Sequence, residues 1–182
     1  VRDNCGNMKR DIDETRPDMM DFSEIIGQDG AKRGVEIAAA GNHNVILIGS
    51  PGSGKSSLAK AMAGMAFLPA AVNLFDPMTL EESMQTSKIY SVAGKGLPFG
   101  GLMRQRPFRS PHYSASAAAL IGGGSDTVMP GEISLAHNGI LMIDELCEAP
   151  KKILELLRAP MEDRKVTISR LKSKVEYPAD FM

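Results

Sequence analysis

Apolar positions along the chain change period several times, and each change marks an element. From Gln28 to Ala40, Ala31, Val35, Ile37, Ala38 and Ala39 form a helical stripe, and Gly41-Asn42 closes it. The run Asn44-Val45-Ile46-Leu47-Ile48 is too short for a helix and predicts a first strand. A helix from Lys55 to about Phe67 follows, stopped by Pro69. Thr79-Leu80-Glu81-Glu82 carries helix-start chemistry for a helix reaching Ala93, and glycine-rich Gly94 to Gly101 reads as a loop. Phe108-Arg109-Ser110-Pro111 is a short strand end. Ser114 to Ile121 is a helix of small residues, ended by Gly122-Gly123-Gly124, and Pro130 to Ala136 is a second short helix, closed by Asn138-Gly139. Ile140-Leu141-Met142-Ile143 is a buried strand by its unbroken apolar character. Pro150 to Met161 places Ile153, Leu156, Leu157 and Met161 on one side of a helix. Val166 to Arg170 and Lys174 to Tyr177 alternate around a polar turn, which predicts a hairpin, and Ala179 to Met182 begins another strand. Ser23 or Asp29 is expected to cap short helical pieces near the start, and Val1 to Met20 lacks apolar periodicity and reads as a tail or linker.

Strands alternating with helices indicate an α/β core, and 182 residues suffice for one such domain. With 43% hydrophobic and 24% charged residues the composition is that of a soluble globular protein. A net charge of −1 argues against a polyanion binder overall, though not against a local basic patch. The cysteines, Cys5 and Cys147, fit no C-x-x-C spacing, and a reduced, cytoplasmic protein is the simplest expectation. No apolar run approaches a membrane span and Val1 to Arg10 is too polar for a signal peptide, so no membrane association is expected.

The first chemistry lies where the predicted strand Asn44 to Ile48 meets the following helix. Gly49-Ser50-Pro51-Gly52-Ser53-Gly54-Lys55-Ser56-Ser57 matches the P-loop pattern G-x-x-x-x-G-K-[ST]. Glycines let several backbone N–H groups converge on phosphate oxygens, and the new helix adds its positive N-terminal end. Lys55 is expected to reach the β- and γ-phosphates of ATP and Ser56 to help coordinate Mg²⁺. The second chemistry is Asp144-Glu145, at the end of the strand Ile140 to Ile143. Asp144 is placed to hold Mg²⁺ beside Ser56, and Glu145 has the chemistry to accept a proton from an attacking water. A carboxylate directly after the metal-binding Asp favours an NTPase that activates water over a kinase that excludes it.

Around these motifs stand Asp21-Phe22-Ser23-Glu24-Ile25-Ile26-Gly27-Gln28, Arg106-Pro107-Phe108-Arg109-Ser110-Pro111-His112, Gly122-Gly123-Gly124 and Pro130 to Gly139. Asp144-Glu145-Leu146, Pro160 to Asp163 and Val166 to Arg170 complete the set. With these blocks, residues 21 to 182 resemble an AAA+ ATPase of the Mg-chelatase-related group, in its ComM/YifB branch. The resemblance implies a three-layer αβα P-loop NTPase (AAA+) core with a hairpin before the sensor strand, and a segment around Ile26 and Gly27 bordering the adenine. It implies a ring-forming homo-oligomer, hexameric by family, that hydrolyses ATP to remodel a macromolecule, most plausibly a DNA motor of branch-migration or helicase type. The alternatives are the motor subunit of a magnesium-chelatase-type metal insertion complex and a nucleotide-dependent scaffold without substrate work. Ser50, Tyr113 and Cys147-Glu148-Ala149 depart from the group's usual Pro, His and Pro-Glu-Phe. The group's sensor residue, arginine finger and lid are absent from this sequence. Residues 21–182 are therefore expected to be a partial core, weakly active or inactive alone.

Arg164 to Lys174 contains five basic residues and no acidic one. On a hairpin it offers either salt-dependent contact with DNA phosphates or a solvated face that guards a sheet edge. Arg104, Arg106 and Arg109 form a second basic cluster, a candidate subunit contact. The histidines His43, His112 and His137 share no metal-ligand spacing, and His137 reads as a helix-end residue. Cys147 reads as a small residue packing behind the strand rather than as a reactive thiol.

Overall fold

The computed structural model describes residues 20–65, 78–97, 101–124, 127–169 and 174–182. The expected tail up to residue 19, Cys5, the stop at Phe67 to Pro69 and the hairpin turn Arg170 to Ser173 lie outside the described residues.

The sheet is organised around strand β4, Ile140–Leu141, which runs parallel to β1, Phe108–Arg109, in the register Phe108 opposite Ile140 and Arg109 opposite Leu141. The Ile140 N–H donates to the Pro107 carbonyl at 2.8 Å and the Met142 N–H to the Arg109 carbonyl at 2.9 Å. On the other side of β4, the Leu141 N–H donates to the Met182 carbonyl at 2.8 Å and the Met182 N–H to Gly139 at 3.0 Å. That is a parallel ladder, so Ala179 to Met182 does enter the sheet as a further strand would.

Side chains alternate across a strand, and the two faces of β4 feed two different cores. Ile140 packs with Val35, Ala38 and Ala39 of helix α1 (Asp29–Gly41), with Met62, Ala63 and Met65 of α2 (Lys55–Met65), and with Met182. Leu141 and Ile143 pack on the opposite cluster, where Leu120 of α4 (Ala117–Ile121) and Ile133 of α5 (Glu132–Leu135) meet Ile153 and Leu157 of α6 (Lys151–Asp163). Helices on both faces of a parallel sheet make the three-layer αβα arrangement expected from the sequence. The hairpin closes the second core: β5, Lys165–Ser169, and β6, Lys174–Pro178, pair antiparallel, with Val166 and Ile168 facing inward.

Several expectations are corrected. Asn44 to Ile48 forms no strand and has no sheet partner among the described residues, and Ile46 and Ile48 are 74% and 93% exposed while Leu47 packs on the first core. Without a paired strand beside it and helices over both faces, an apolar segment of this kind stays partly in water. Ile37 is exposed because it sits about 200° around the helix from Val35, whereas Ala38 and Ala39 return to the Val35 face. Met161 is exposed as well, and Pro160 takes the buried position. The caps also differ: Asp21 and Glu24 form a capping box on the turn Phe22–Glu24, and α1 is entered through Gln28 with a left-handed φ of 60°. Gly122 and Gly123 do more than end α4: as β2 they pair antiparallel with Met129–Pro130, β3.

The insertion between the two nucleotide motifs is anchored by α3, Leu80–Val92, whose Thr79 cap and Glu82 form the predicted capping box. One face of α3 makes a polar seam with the turn before β4. The Asn138 side chain donates to Thr86 Oγ1 at 3.1 Å and to the Glu82 carbonyl at 3.3 Å, and the Tyr90 hydroxyl donates to the Leu135 carbonyl at 3.1 Å.

Candidate nucleotide site

Gly49 to Ser57 curls between the extended segment and α2. Gly52 and Gly54 take φ of 75° and 81°, a region that an L side chain resists, so the loop needs glycine at both places. The loop turns back at Ser50, whose carbonyl accepts from the Ser53 N–H at 3.2 Å, and α2 then starts at Lys55 with Leu58 N–H bonded to the Gly54 carbonyl at 2.9 Å. The Lys55 ammonium donates to the Gly49 and Ser50 carbonyls at 2.9 and 2.7 Å, folded back over the loop. Pro51 and Gly52 are exposed at the crest, and Ser53, Gly54, Lys55, Ser56 and Ser57 are partly buried.

The two motifs meet. Ser56, in the first turn of α2, donates its hydroxyl to Asp144 Oδ2 at 2.7 Å across 88 positions of sequence. Asp144 lies just past β4, and its other oxygen, Oδ1, accepts the Glu145 N–H at 2.9 Å. Glu145 is left-handed, φ 51° and ψ 41°, a conformation costly for a residue with a Cβ, and its side chain is exposed. A hydroxyl and a carboxylate in direct contact at the foot of a phosphate-type loop are hard oxygen donors of the kind Mg²⁺ takes. The donor set therefore fits a magnesium–nucleotide ligand.

The amino-terminal segment reaches the same loop. Ile26 is 97% exposed, Gly27 has φ of 70°, and the Gln28 side-chain amide donates to the Ser53 carbonyl at 2.8 Å. Lys32 holds the segment from the other end by donating to the Ile25 carbonyl. Gln28 was not distinguishable from its neighbours by pattern. Its contact spans 25 positions, and no local periodicity carries such information.

The other candidates are structural. Arg109 grips Glu132 with two guanidinium bonds, 2.5 and 2.7 Å, and Arg106 binds the Asn138 carbonyl at 2.9 Å and Glu82 at 3.4 Å, so the expected basic cluster is spent on internal pairs at these two positions. The Glu132 bond and charge hold Arg109 further towards its charged form against the opposing effect of burial. Burial raises the nearby Tyr90 hydroxyl above its ordinary value. Glu82 lies below its usual range although burial works the other way, because the Thr79 N–H and Arg106 favour the carboxylate. His137 is buried at the end of α5; its Nδ1 accepts the Asp180 N–H at 3.1 Å, which leaves Nε2 as the donor to Gln85 Oε1 at 3.2 Å. Burial lowers its pKa, outweighing the pull of Asp180. Cys147 is exposed, contrary to the expectation that it packs behind the strand, because it falls in the short turn Leu146–Glu148 beyond the sheet. On the hairpin, Lys165 and Lys174 both reach Glu176, at 3.4 and 3.2 Å, and Arg164 pairs with Asp180 at 2.9 Å. Acidic partners just outside the basic run thus offset part of the charge counted in sequence. Among the described residues no helix is long and apolar enough to cross a membrane.

Comparison with known proteins agrees with this geometry. Residues 21–182 match the family model of magnesium chelatase, subunit ChlI. The protein YifB of Salmonella typhimurium is 46% identical over 161 residues, which cover 88% of this chain and 30% of that protein. Competence protein ComM of Haemophilus influenzae is 45% identical over 162 residues, 89% of this chain and 30% of that protein. The chain thus spans about a third of the length of these relatives. A structure of the complex between subunits BchI and BchD of magnesium chelatase superposes with a TM-score of 0.64 at 21% identity, covering 90% of this chain and 53% of that one. Fold and sequence agree, and the chain belongs to the magnesium chelatase subunit ChlI family of AAA+ proteins, with an α/β P-loop NTPase core.

Proposed function

We propose that this chain is the nucleotide-binding part of an ATP-hydrolysing AAA+ motor. The observation that carries the reading is the 2.7 Å contact between Ser56 and Asp144, which joins two motifs that are 88 residues apart. In this account Lys55 and the amides from Gly49 to Ser57 bind the phosphates of ATP, while Ile26 and Gly27 border the base. Ser56 and Asp144 hold Mg²⁺, whose charge offsets that of the phosphates. Glu145 takes the proton of the water that attacks the γ-phosphorus as the bond to the ADP oxygen breaks. We further propose that residues 21–182 are the first part of the core. A strand continuing from Met182 and pairing with Asn44 to Ile48 would supply the neighbour that this segment lacks among the described residues.

The work done by the motor is the finer proposal. The similarity to a protein named for competence favours DNA as substrate of a homo-oligomeric ring. Glu176 offsets only part of the charge of Lys165 and Lys174, so the basic run Arg164 to Lys174, with Arg170 and Lys172 in it, is the proposed contact with phosphates. The match to the family model of magnesium chelatase, subunit ChlI, favours instead a chelatase motor. ATP-driven displacement of a strand from branched DNA by the full chain, titrated with salt, separates the two. Salt-sensitive displacement that is lost in a Arg170→Ala/Lys172→Ala variant is the expected result, and no ATP-stimulated displacement at any salt refutes the DNA motor.

A further inference from the structure

We infer that Gln28 is a positioning residue that latches the phosphate loop in its binding conformation, by fixing the orientation of the Ser53–Gly54 peptide. In a planar trans peptide the carbonyl and the following N–H point in opposite directions. The Gln28 amide holds the Ser53 carbonyl at 2.8 Å, and the Gly54 N–H of the same peptide is therefore turned away from Gln28. Rotating that peptide changes only ψ of Ser53 and φ of Gly54. Gly54, at φ of 81°, is free to take either sign, so the loop's own covalent structure does not prevent the flip. Lys55 does not prevent it either, since its ammonium is bonded to Gly49 and Ser50. Among the described residues, the Gln28 side chain is the partner that holds it.

Gln28 is itself well held. Its carbonyl accepts the Lys32 N–H at 2.9 Å at the start of α1, Lys32 also grips the Ile25 carbonyl, and Phe22 packs against the first core. The latch thus hangs from a helix, and it places the exposed Ile26–Gly27 stretch and the phosphate cradle under one constraint. Ordering the segment orders the loop.

The inference rests on the phosphate-binding reading of the loop, and it is tested in the full chain with Gln28→Met, which keeps the length and removes the donor. Calorimetric titration with Mg-ADP and with inorganic tripolyphosphate, which has no base, is compared with the wild type, and the Gly54 amide is followed by NMR without ligand. The latch predicts that Gln28→Met weakens both ligands by a similar factor, about tenfold, the worth of one hydrogen bond. It also predicts that the Gly54 amide resonance shifts or broadens while the melting temperature is kept. Gln28→Glu, which sets an acceptor against the Ser53 carbonyl, is expected to lose at least as much. Weaker Mg-ADP with unchanged tripolyphosphate makes Gln28 a base contact and overturns the latch, as does an unchanged Gly54 amide. If the wild type binds neither ligand, the phosphate-binding reading fails, and the Gly54 amide alone decides whether the latch exists.

Discussion

The Arg109–Glu132 pair is the strongest polar tie between the sheet and α5, and Glu132→Gln isolates its worth. Both guanidinium bonds, 2.5 and 2.7 Å, end on the Glu132 carboxylate, and the side chains retain only 27% and 23% exposure. The substitution keeps the shape and one acceptor but leaves the Arg109 charge without its counter-ion. Removing one member of a fully buried pair costs about 3–5 kcal/mol, and the quarter of each side chain still in water reduces this to about 2 kcal/mol. For a domain of this size that corresponds to a fall in melting temperature of about 4–8 °C. Arg109 matters beyond stability because its carbonyl accepts the Met142 N–H, two residues before Asp144, so the pair steadies the strand that presents the acid. Thermal and urea unfolding of the full chain, with Arg109→Met/Glu132→Leu beside the single variant, measures it. The double variant, which removes both charges, is expected to be more stable than Glu132→Gln. A Glu132→Gln protein melting within about 1 °C of the wild type refutes the assignment.

Three further outcomes follow from single positions. His137 is neutral in the fold with its pKa below the ordinary 6.5, so the unfolded chain binds more protons. Its contribution is complete above pH 6.5 and is lost as pH falls from there through the folded value, while Glu82 acts only below its ordinary 4.5. Urea midpoints between pH 5 and 7 are expected to fall with acid in the wild type and to flatten in His137→Gln. Gly139→Ala drives a methyl group into the Pro107 backbone carbonyl that binds β4, and is expected to cost about 1–3 kcal/mol by urea unfolding. Glu145→Gln is expected to keep Mg-ATP affinity and to lower turnover about 100-fold or more, and near-normal turnover removes Glu145 from the proton-accepting role.

Much of the site was legible before any coordinates, because its chemistry is local. The glycines, Lys55 and Ser56 follow from the loop they must form, and Asp144-Glu145 ends an apolar run that can only be a strand. The meeting of Ser56 with Asp144 followed from pairing two known halves. What could not be read was nonlocal or depended on the fate of a neighbour. Asn44 to Ile48 has the residues of a central strand, yet burial is a property of the sheet around it. Ile37 belongs to the apolar cluster in sequence but not to the stripe, because the helical period turns it about 200° from Val35. Arg106 and Arg109 looked like a free basic cluster because Glu82 and Glu132 lie 24 and 23 positions away. Gln28 stands in a block that carries the resemblance, but its role was not legible, since its partner is a backbone carbonyl, which no sequence pattern marks.

The most direct test of the nucleotide site is calorimetric titration of the full chain with Mg-ATP, set against Lys55→Ala. Lys55 replaces its two loop carbonyls with phosphate oxygens on binding, and two charge-assisted hydrogen bonds are together worth about 3 kcal/mol. The account predicts Mg²⁺-dependent binding by the wild type and a loss of about 100-fold or more in Lys55→Ala. Mg-ATP binding by Lys55→Ala within about threefold of the wild type would contradict it.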